Sequence, residues 1–258
     1  MKVGSKAFFV AAPIAVAIVG GFAVTVSAGI ISVQNNSFEN PVVNTAFLPV
    51  LLSADHWVLS GPGPFVDFMQ GAGPQNSGTG IFPNPSAGSA GHLTNIDGNQ
   101  AAYIFTNTGH MFAQALVDTA NGNAPVTFAA GQQYTITAAV ANAGSAPAPT
   151  DQLLVGLYYT DPGGQHLVAQ TIVQNDAAHN LSATQFTDFS GISTVLAANS
   201  PAIGHQITAQ FSTIGAGGSE FDVDNIRVSS AVPEPASLAL VVVGAGALFA
   251  RRRRAMAR

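Results

Sequence analysis

The feature that most limits the fold is the alternation between short apolar runs and turn-forming clusters. Runs rich in Val, Ile, Thr, Tyr and Phe are separated by Gly, Pro, Asn and Asp, and residues 29–231 show no long 3.6-residue apolar period. The run over residues 134–140 alternates as a strand with one buried face does. The Asp-Pro-Gly-Gly cluster at 161–164 is typical of a turn between strands. The pattern predicts antiparallel β structure.

About ten short strands are expected. They start near Ile30, Trp57, Phe65, Ala102, Met111, Tyr134, Leu153, Leu167, Gln185, Gln206 and Phe221. Short strands with such turns suit one all-β domain, an antiparallel β-sandwich of the jelly-roll kind over residues 29–231. The stretch from Gly61 to Gly91 holds five prolines among many glycines and is predicted to be a long loop.

The N-terminus has the three parts of a secretory signal. Lys2 and Lys6 precede an apolar stretch from about residue 7 to residue 24, and a Val-Ser-Ala sequence ends at Ala28. Small residues at these positions are what a signal peptidase reads. We predict a helical signal peptide over residues 1–28 that is cleaved after Ala28. The alternative is an uncleaved transmembrane anchor.

The tail, residues 232–258, also has three parts in a fixed order. A Val-Pro-Glu-Pro element is followed by an apolar run over residues 236–249 and then by arginines. A helix of about 15 residues spans roughly 22 Å, less than the ~30 Å hydrocarbon core of a bilayer. The arginines would stay cytoplasmic, which leaves the body outside. The motif residues are Val232, Pro233, Glu234 and Pro235, and the membrane-flanking residues are Arg251, Arg252, Arg253 and Arg254.

This order of parts resembles the PEP-CTERM sorting domain. In that family an exosortase recognises the Pro-Glu-Pro element and removes the hydrophobic helix, and the family occurs in Gram-negative bacteria that make exopolysaccharide. The resemblance, which covers residues 232–254, implies an exported protein. It would be anchored transiently in the inner membrane and end at the cell surface or in the extracellular matrix. The alternative is a plain C-terminal anchor with a chance Pro-Glu-Pro.

The charge of the body excludes one class of partner. Residues 29–231 contain one basic residue, Arg227, and twelve acidic residues, so their net charge is −11. Affinity for nucleic acid comes mainly from Lys and Arg, so DNA and RNA are excluded as partners. The chain has no cysteine, which excludes disulfides, thiolate metal sites and cysteine nucleophiles. Neutral glycans and divalent cations remain possible ligands.

Two short strings resemble carbohydrate-binding, galactose-binding-like jelly-roll modules. One ends in Asn-Ser-Phe-Glu at Glu39, and the other is Phe-Asp-Val-Asp-Asn-Ile-Arg-Val over residues 221–228. In those modules the two strings lie side by side, often around a structural calcium. The resemblance implies that Glu39, Asp222 and Asp224 gather to bind calcium through oxygen ligands.

Asp222 and Asp224 are two residues apart, so they share one face of the last strand. Two other arrangements remain open. Arg227 could pair with the carboxylates, although a straight strand would place it on the other face unless a bulge intervenes. Alternatively, Asp222 faces solvent and Asp224 only caps a turn.

No catalytic residue is predicted. The sequence lacks a Gly-x-Ser-x-Gly elbow, a His-Glu-x-x-His helix and a Walker-type loop, and its six histidines are scattered singly. Aromatic faces stack on sugars, which makes Trp57, Tyr158 and Tyr159 the candidate ligand-binding residues. A lone Trp in a sandwich usually belongs to the core, and adjacent tyrosines in a strand face opposite sides.

Three functions therefore remain open. The first is a surface or matrix protein with a non-catalytic body that binds exopolysaccharide. The second is an extracellular polysaccharide-active hydrolase or lyase on a β-sandwich, whose residues can escape motif searches. The third is a pure structural scaffold.

Overall fold

A computed structural model describes residues 29–43, 56–61, 79–106, 109–142, 148–176, 179–215 and 218–232. Regular structure within these ranges is almost entirely β-strand, and the neighbouring strands pair antiparallel. The predicted all-β antiparallel sandwich is confirmed. No helix within these ranges has the length and apolarity that crossing a membrane requires. The predicted signal helix, the C-terminal hydrophobic helix and the strand near Phe65 lie outside the described residues.

Thirteen strands are described. They are β1 (Gly29–Ile31), β2 (Val58–Ser60), β3 (Thr79–Pro83), β4 (Gln100–Phe105), β5 (Met111–Ala115), β6 (Val117–Asp118), β7 (Ala124–Pro125), β8 (Gln133–Ala141), β9 (Gln152–Asp161), β10 (Gly164–Gln174), β11 (Thr187–Ile192), β12 (Thr208–Ile214) and β13 (Glu220–Ala231). A short 3-10 helix, Thr119–Asn121, lies between β6 and β7. The predicted strand starts at Ile30, Ala102, Met111, Tyr134, Leu153 and Phe221 all fall inside strands.

Two sheets form the sandwich. The first sheet has the order β11-β8-β13-β4-β3, and β1 adds to it along β13. The second sheet has the order β10-β9-β12-β5-β2, and β6 pairs with β7 separately. The first and last strands are thus neighbours, as a jelly roll requires.

An aromatic cluster fills the centre of the core between the sheets. Phe112 and Phe211 stack with their ring centroids 4.7 Å apart, and Trp57 meets Phe211 edge-on at 5.6 Å. Phe38 packs against all three of these rings. Burial of each such ring contributes about 2–3 kcal/mol, which allows a cysteine-free body to be stable.

A smaller cluster of buried residues covers the outer face of the first sheet. Leu93 and Phe186 come from two segments outside the sheet and pack onto Tyr103 and Ala139. Backbone hydrogen bonds from Thr94 N to Thr184 O and from Phe186 N to Thr94 O tie the two segments together. This part of the sheet is therefore buried on both faces.

Part of the predicted Gly61–Gly91 loop is a strand. β3 pairs with β4 at the edge of the first sheet, and its residues from Thr79 to Phe82 are buried. Pro83 is tolerated there because it ends an edge strand. The many glycines and prolines of this stretch concealed the strand.

A β-bulge interrupts β13 between Asp224 and Arg227. Asn225 has a positive φ of 46°, and the backbone N–H of Ile226 donates to Asn36 O at 2.9 Å. The extra residue shifts the alternation, so Arg227 returns to the face that Asp224 occupies. The sequence left the side of Arg227 open between a straight strand and a bulge, and the bulge decides it.

Candidate functional site

Strand β9 places the two adjacent tyrosines on opposite sides of the second sheet, as predicted. Tyr159 lies in the core, where its ring stacks on His166 with centroids 4.8 Å apart. Trp57 is fully buried, and its indole N–H donates to Asn35 O at 3.1 Å. Neither ring has a face open to a ligand. This corrects the expectation that Trp57 and Tyr159 offer binding surfaces, whereas Tyr158 stays a prediction.

Tyr158 is half-buried on the outer face of the second sheet. Its ring leans back along β9 over Gly156, because a Cβ placed on Gly156 would lie 2.8 Å from Tyr158 Cε2 and 3.2 Å from Cζ. The strand neighbours of Gly156 are Gln170 in β10 and Gln210 in β12. The ring is therefore flanked by two amide side chains. Burial raises the pKa of the Tyr158 phenol above its ordinary value, so it is neutral at physiological pH.

The face around Tyr158 carries no charge on its described strand residues. Glutamines pair across its strands, with Gln152 Nε2 donating to Gln174 Oε1 at 2.9 Å and Gln165 Nε2 to Gln210 Oε1 at 2.8 Å. The other outward residues are Leu154, Leu167, Ile172, Thr208, Ser212 and Ile214. Amides both donate and accept hydrogen bonds. The face thus combines one aromatic ring with neutral polar groups.

On the other sheet, the structure brings two of the three predicted calcium ligands together. Glu39 Oε1 accepts the backbone N–H groups of Asn99 and Gln100, both at 2.8 Å. Asp224 Oδ2 accepts the backbone N–H of Asp97 at 2.6 Å. The turn at 97–100 therefore donates backbone hydrogen bonds to both carboxylates. Asp97, in the same turn, brings a third carboxylate near them. Sequence reasoning missed Asp97 because an Asp-Gly pair indicates a turn.

Asp222 is fully buried on the same face as Asp224, so the alternative that it faces solvent was wrong. Its strand partners are Tyr103 and Ala141, both members of the outer cluster. The described part of the chain has no set of three His, Cys, Asp or Glu side chains grouped closely enough to hold a metal ion. A calcium here would need carbonyl ligands beside the carboxylates.

Asp224 lacks a cationic partner among the described residues. Burial raises its pKa to about 7, and the carboxylates of Asp97 and Glu39 add to the effect. Asp224 Oδ1 is buried without a hydrogen-bond partner in the described structure. Arg227 shares this face but pairs with Asp188, at 2.5 Å between Nη2 and Oδ1. The orphaned oxygen is what a bound cation would satisfy.

A polar pocket of about 400 Å³ lies beside Asp224. Its lining is Asn95, Ala139, Gln185, Phe186, Thr187, Asp188 and Asn225. Asn36 Nδ2 donates to Asn225 Oδ1 at 3.3 Å, and Asn95 Nδ2 donates to Phe186 O at 3.5 Å. No sequence signal pointed to this pocket, because its residues come from four distant segments.

Two family matches cover nearly all of the described chain. Residues 30–229 match the family described as HpiC1 cyclase. The chain belongs to the HpiC1 cyclase family. Residues 231–254 match the PEP-CTERM protein-sorting motif, which confirms the resemblance of the tail. No curated protein matches the chain by sequence.

Solved structures of this family share the fold. The apo form of a cyclase from Fischerella sp. is 18% identical, with a TM-score of 0.58, over 81% of this chain and 99% of that one. The Stig cyclase Fisc from Fischerella sp. TAU, in complex with (3Z)-3-(1-methyl-2-pyrrolidinylidene)-3H-indole, is 18% identical with a TM-score of 0.56, over 79% and 98%. At such identities the likeness shows the fold alone.

Carbohydrate-binding modules are also among the structural neighbours. A CBM4 structure is 15% identical over 77% of this chain and 99% of that one, with a TM-score of 0.41. This agrees with the resemblance noted in the two short sequence strings. A likeness of this size carries no argument about ligands.

Proposed function

We propose that this is an exported bacterial surface or extracellular-matrix protein whose body binds a neutral polysaccharide without catalysis. The PEP-CTERM motif at 231–254 supports the export route and an exosortase-type enzyme as its processing partner. The observation that carries the binding proposal is the ring of Tyr158, held over Gly156 between two glutamines on an uncharged sheet face.

The chemistry of that face suits a sugar chain. An aromatic face stacks on the apolar C–H face of a pyranose, and amides can donate to and accept from its hydroxyl groups. A body with a net charge of −11 would repel acidic polymers at low salt, which favours a neutral one. The extended face formed by β10, β9 and β12 offers room for several sugar units.

A structural calcium is part of this proposal. Glu39 and Asp224 would supply carboxylate oxygens, and backbone carbonyl oxygens would complete the ligand set. The support is the orphaned, buried Oδ1 of Asp224 and the engagement of Arg227 by Asp188. Calcium would tie the 97–100 turn and the first strand region to β13.

The test begins with a glycan array on the exported protein and continues with variants. Tyr158→Ala should weaken binding to a positive glycan by about 1–2 kcal/mol, roughly 5- to 30-fold, because an exposed aromatic anchor is lost. Ile192→Ala is the matched control, since Ile192 is an exposed apolar residue of β11 on the other sheet. Equal affinities of the two variants, or no glycan binding at all, would contradict the proposal.

Family membership favours a second candidate, a cyclase acting on a small organic substrate. The observation behind it is the match of residues 30–229 to the HpiC1 cyclase family. Incubation of the exported protein with indole compounds like the ligand of the Fischerella complex, followed by product analysis, separates the two candidates. Turnover that survives Tyr158→Ala would establish the cyclase and remove the need for a glycan site.

A further inference from the structure

The two ends of the folded body lie side by side. Strand β1 pairs with β13 so that Gly29 lies opposite Ser230. The predicted signal-peptidase site precedes Gly29, and the sorting motif starts at Val232, one residue after β13 ends. Both processing sites therefore flank the same edge of the first sheet, by which we mean the end at which β13 finishes. No linker separates the sorting motif from the sheet.

Exposed apolar side chains gather at this edge. The register places Ile30, Ser229, Thr135 and Ile192 in one row across β1, β13, β8 and β11. Ile30 is 90% exposed and Ile192 is 59% exposed. Val195 and Val232, at 46% and 44%, follow the ends of β11 and β13. We call Ile30, Ile192, Val195 and Val232 the terminal patch.

The terminal patch holds four of the nine large apolar side chains that are exposed among the described residues, and a second group, Leu167, Ile172 and Ile214, lies on the other sheet. Ser229 and Thr135 lie between Ile30 and Ile192, so small polar side chains separate the apolar ones. Apolar side chains exposed together on one surface can mark a contact with a membrane or a partner. The chain outside the described structure indicates which of the two applies here.

The reach of the tail brings the patch to the lipid surface. Three residues lie between Val232 and Ala236, where the apolar run of the tail begins, so four Cα–Cα steps separate the two. An extended chain spans at most ~3.6 Å per residue, so Val232 lies within about 14 Å of the point where that run would enter a membrane. This step rests on the sorting route in the proposed function.

Charge singles out the same edge. A body with a net charge of −11 is repelled by anionic headgroups. The segments that form the edge, residues 29–36, 129–136, 191–204 and 228–232, contain no charged residue. One row further in, Arg227 and Asp188 neutralise each other. The segments of the terminal patch thus add no repulsion of their own when they approach an anionic bilayer.

We propose that the terminal patch rests on the outer surface of the inner membrane while the tail is intact. The contact holds the folded body beside the sorting enzyme and presents Pro233, Glu234 and Pro235 at the membrane–water interface. Four partly exposed side chains form a weak, reversible contact, so the body leaves the membrane when the tail is removed.

The absence of cysteine makes the test clean. The full chain, with Ile192→Cys or Val195→Cys, is labelled with nitrobenzoxadiazole and reconstituted into vesicles of phosphatidylethanolamine and phosphatidylglycerol. The matched controls are Ile172→Cys and Ile214→Cys, which are exposed apolar positions on the second sheet. We expect blue-shifted emission and quenching by doxyl-labelled lipid at 192 and 195 only. Water-like emission at these two positions, or equal quenching at the controls, would overturn the proposal.

A cellular measurement supplies a second readout. The double substitution Ile192→Ser and Val195→Ser should slow removal of the tail in a pulse-chase experiment, compared with Ile172→Ser and Ile214→Ser. Unchanged processing contradicts a role in presenting the motif. Tyr158→Ala should leave lipid quenching intact, so failure of the glycan site and failure of the terminal patch are told apart.

Discussion

The outer faces of the two sheets differ in what lies on them. On the first sheet, Leu93 and Phe186 come from segments outside the sheet and pack onto Tyr103 and Ala139, the strand neighbours of the buried Asp222 and Asp224. On the second sheet, Tyr158 and Gln170 are partly exposed to solvent, and Gln210 is buried beside them. The covered face fixes distant parts of the chain to one another. The outer face of the second sheet, the bare face, does not hold distant parts of the chain together. Its side chains can therefore be selected for binding a ligand.

The largest expected effect is on the covered face. Phe186→Ala should destabilise the body by about 3 kcal/mol, because it leaves a cavity above buried carboxylates. Leu167→Ala on the bare face should cost less than about 0.5 kcal/mol, as surface substitutions usually do. Urea unfolding of both variants measures the difference. Similar losses would show that the second face is also covered in the folded protein.

Calcium should raise the free energy of unfolding only through the site on the covered face of the first sheet. At about 100 times its dissociation constant, calcium should add roughly 2.7 kcal/mol to the free energy of unfolding. The readout is thermal unfolding with calcium and with a chelator. A Glu39→Gln, Asp224→Asn double variant should lose the shift, whereas Tyr158→Ala should keep it. No shift in the unaltered protein would rule out the site.

In chelator, pH should change stability through the same face. Burial raises the pKa of Asp224 and of Glu220 to about 7, above their ordinary values. The folded state then holds protons that the unfolded state has lost, so the melting temperature should fall as pH rises from about 4 to 7 and level off above. Asp224→Asn should flatten this slope. A rise in stability over that range would show that these groups are ionised in the fold.

The smallest effect on stability is expected from a charge on the bare face. Gln170→Glu should change the free energy of unfolding by less than about 0.5 kcal/mol, because the side chain lies on an open sheet face. It should nevertheless weaken glycan binding, since it places a carboxylate next to the Tyr158 ring. Parallel unfolding and binding titrations provide the comparison. Unaltered affinity for the glycan would show that the ligand binds away from Gly156.

Local patterns were enough to predict most of the long strands and their antiparallel pairing, but not β3. Met111 begins β5 as predicted, and the alternating run from Tyr134 lies within β8. What the sequence could not show depends on distant contacts. Asp222 is buried beside Tyr103, onto which Leu93 and Phe186 pack from distant parts of the chain. The bulge at Asn225 places Arg227 on the face opposite to the one that a straight strand would give it. No local sequence pattern indicates such an insertion.

The sites show the same division. Adjacent strand residues face opposite sides, so the sequence predicted that Tyr158 and Tyr159 differ in exposure. The structure places them on opposite sides of the sheet. Trp57 fell into the core, where a lone Trp in a sandwich usually belongs. The contribution of Asp97 depends on how its turn meets β13, which only the assembled sheet reveals.

Strand β13 has a mechanical consequence for a protein held by its tail. It is 12 residues long, hydrogen-bonded along both sides, and continuous with the tail at Val232. A pull on the tail therefore acts along the strand, and the hydrogen bonds to β8, β4 and β1 share the load at once instead of opening one by one. Before the tail is removed, a load on the body would reach a tail anchor through the best-supported strand of the sandwich.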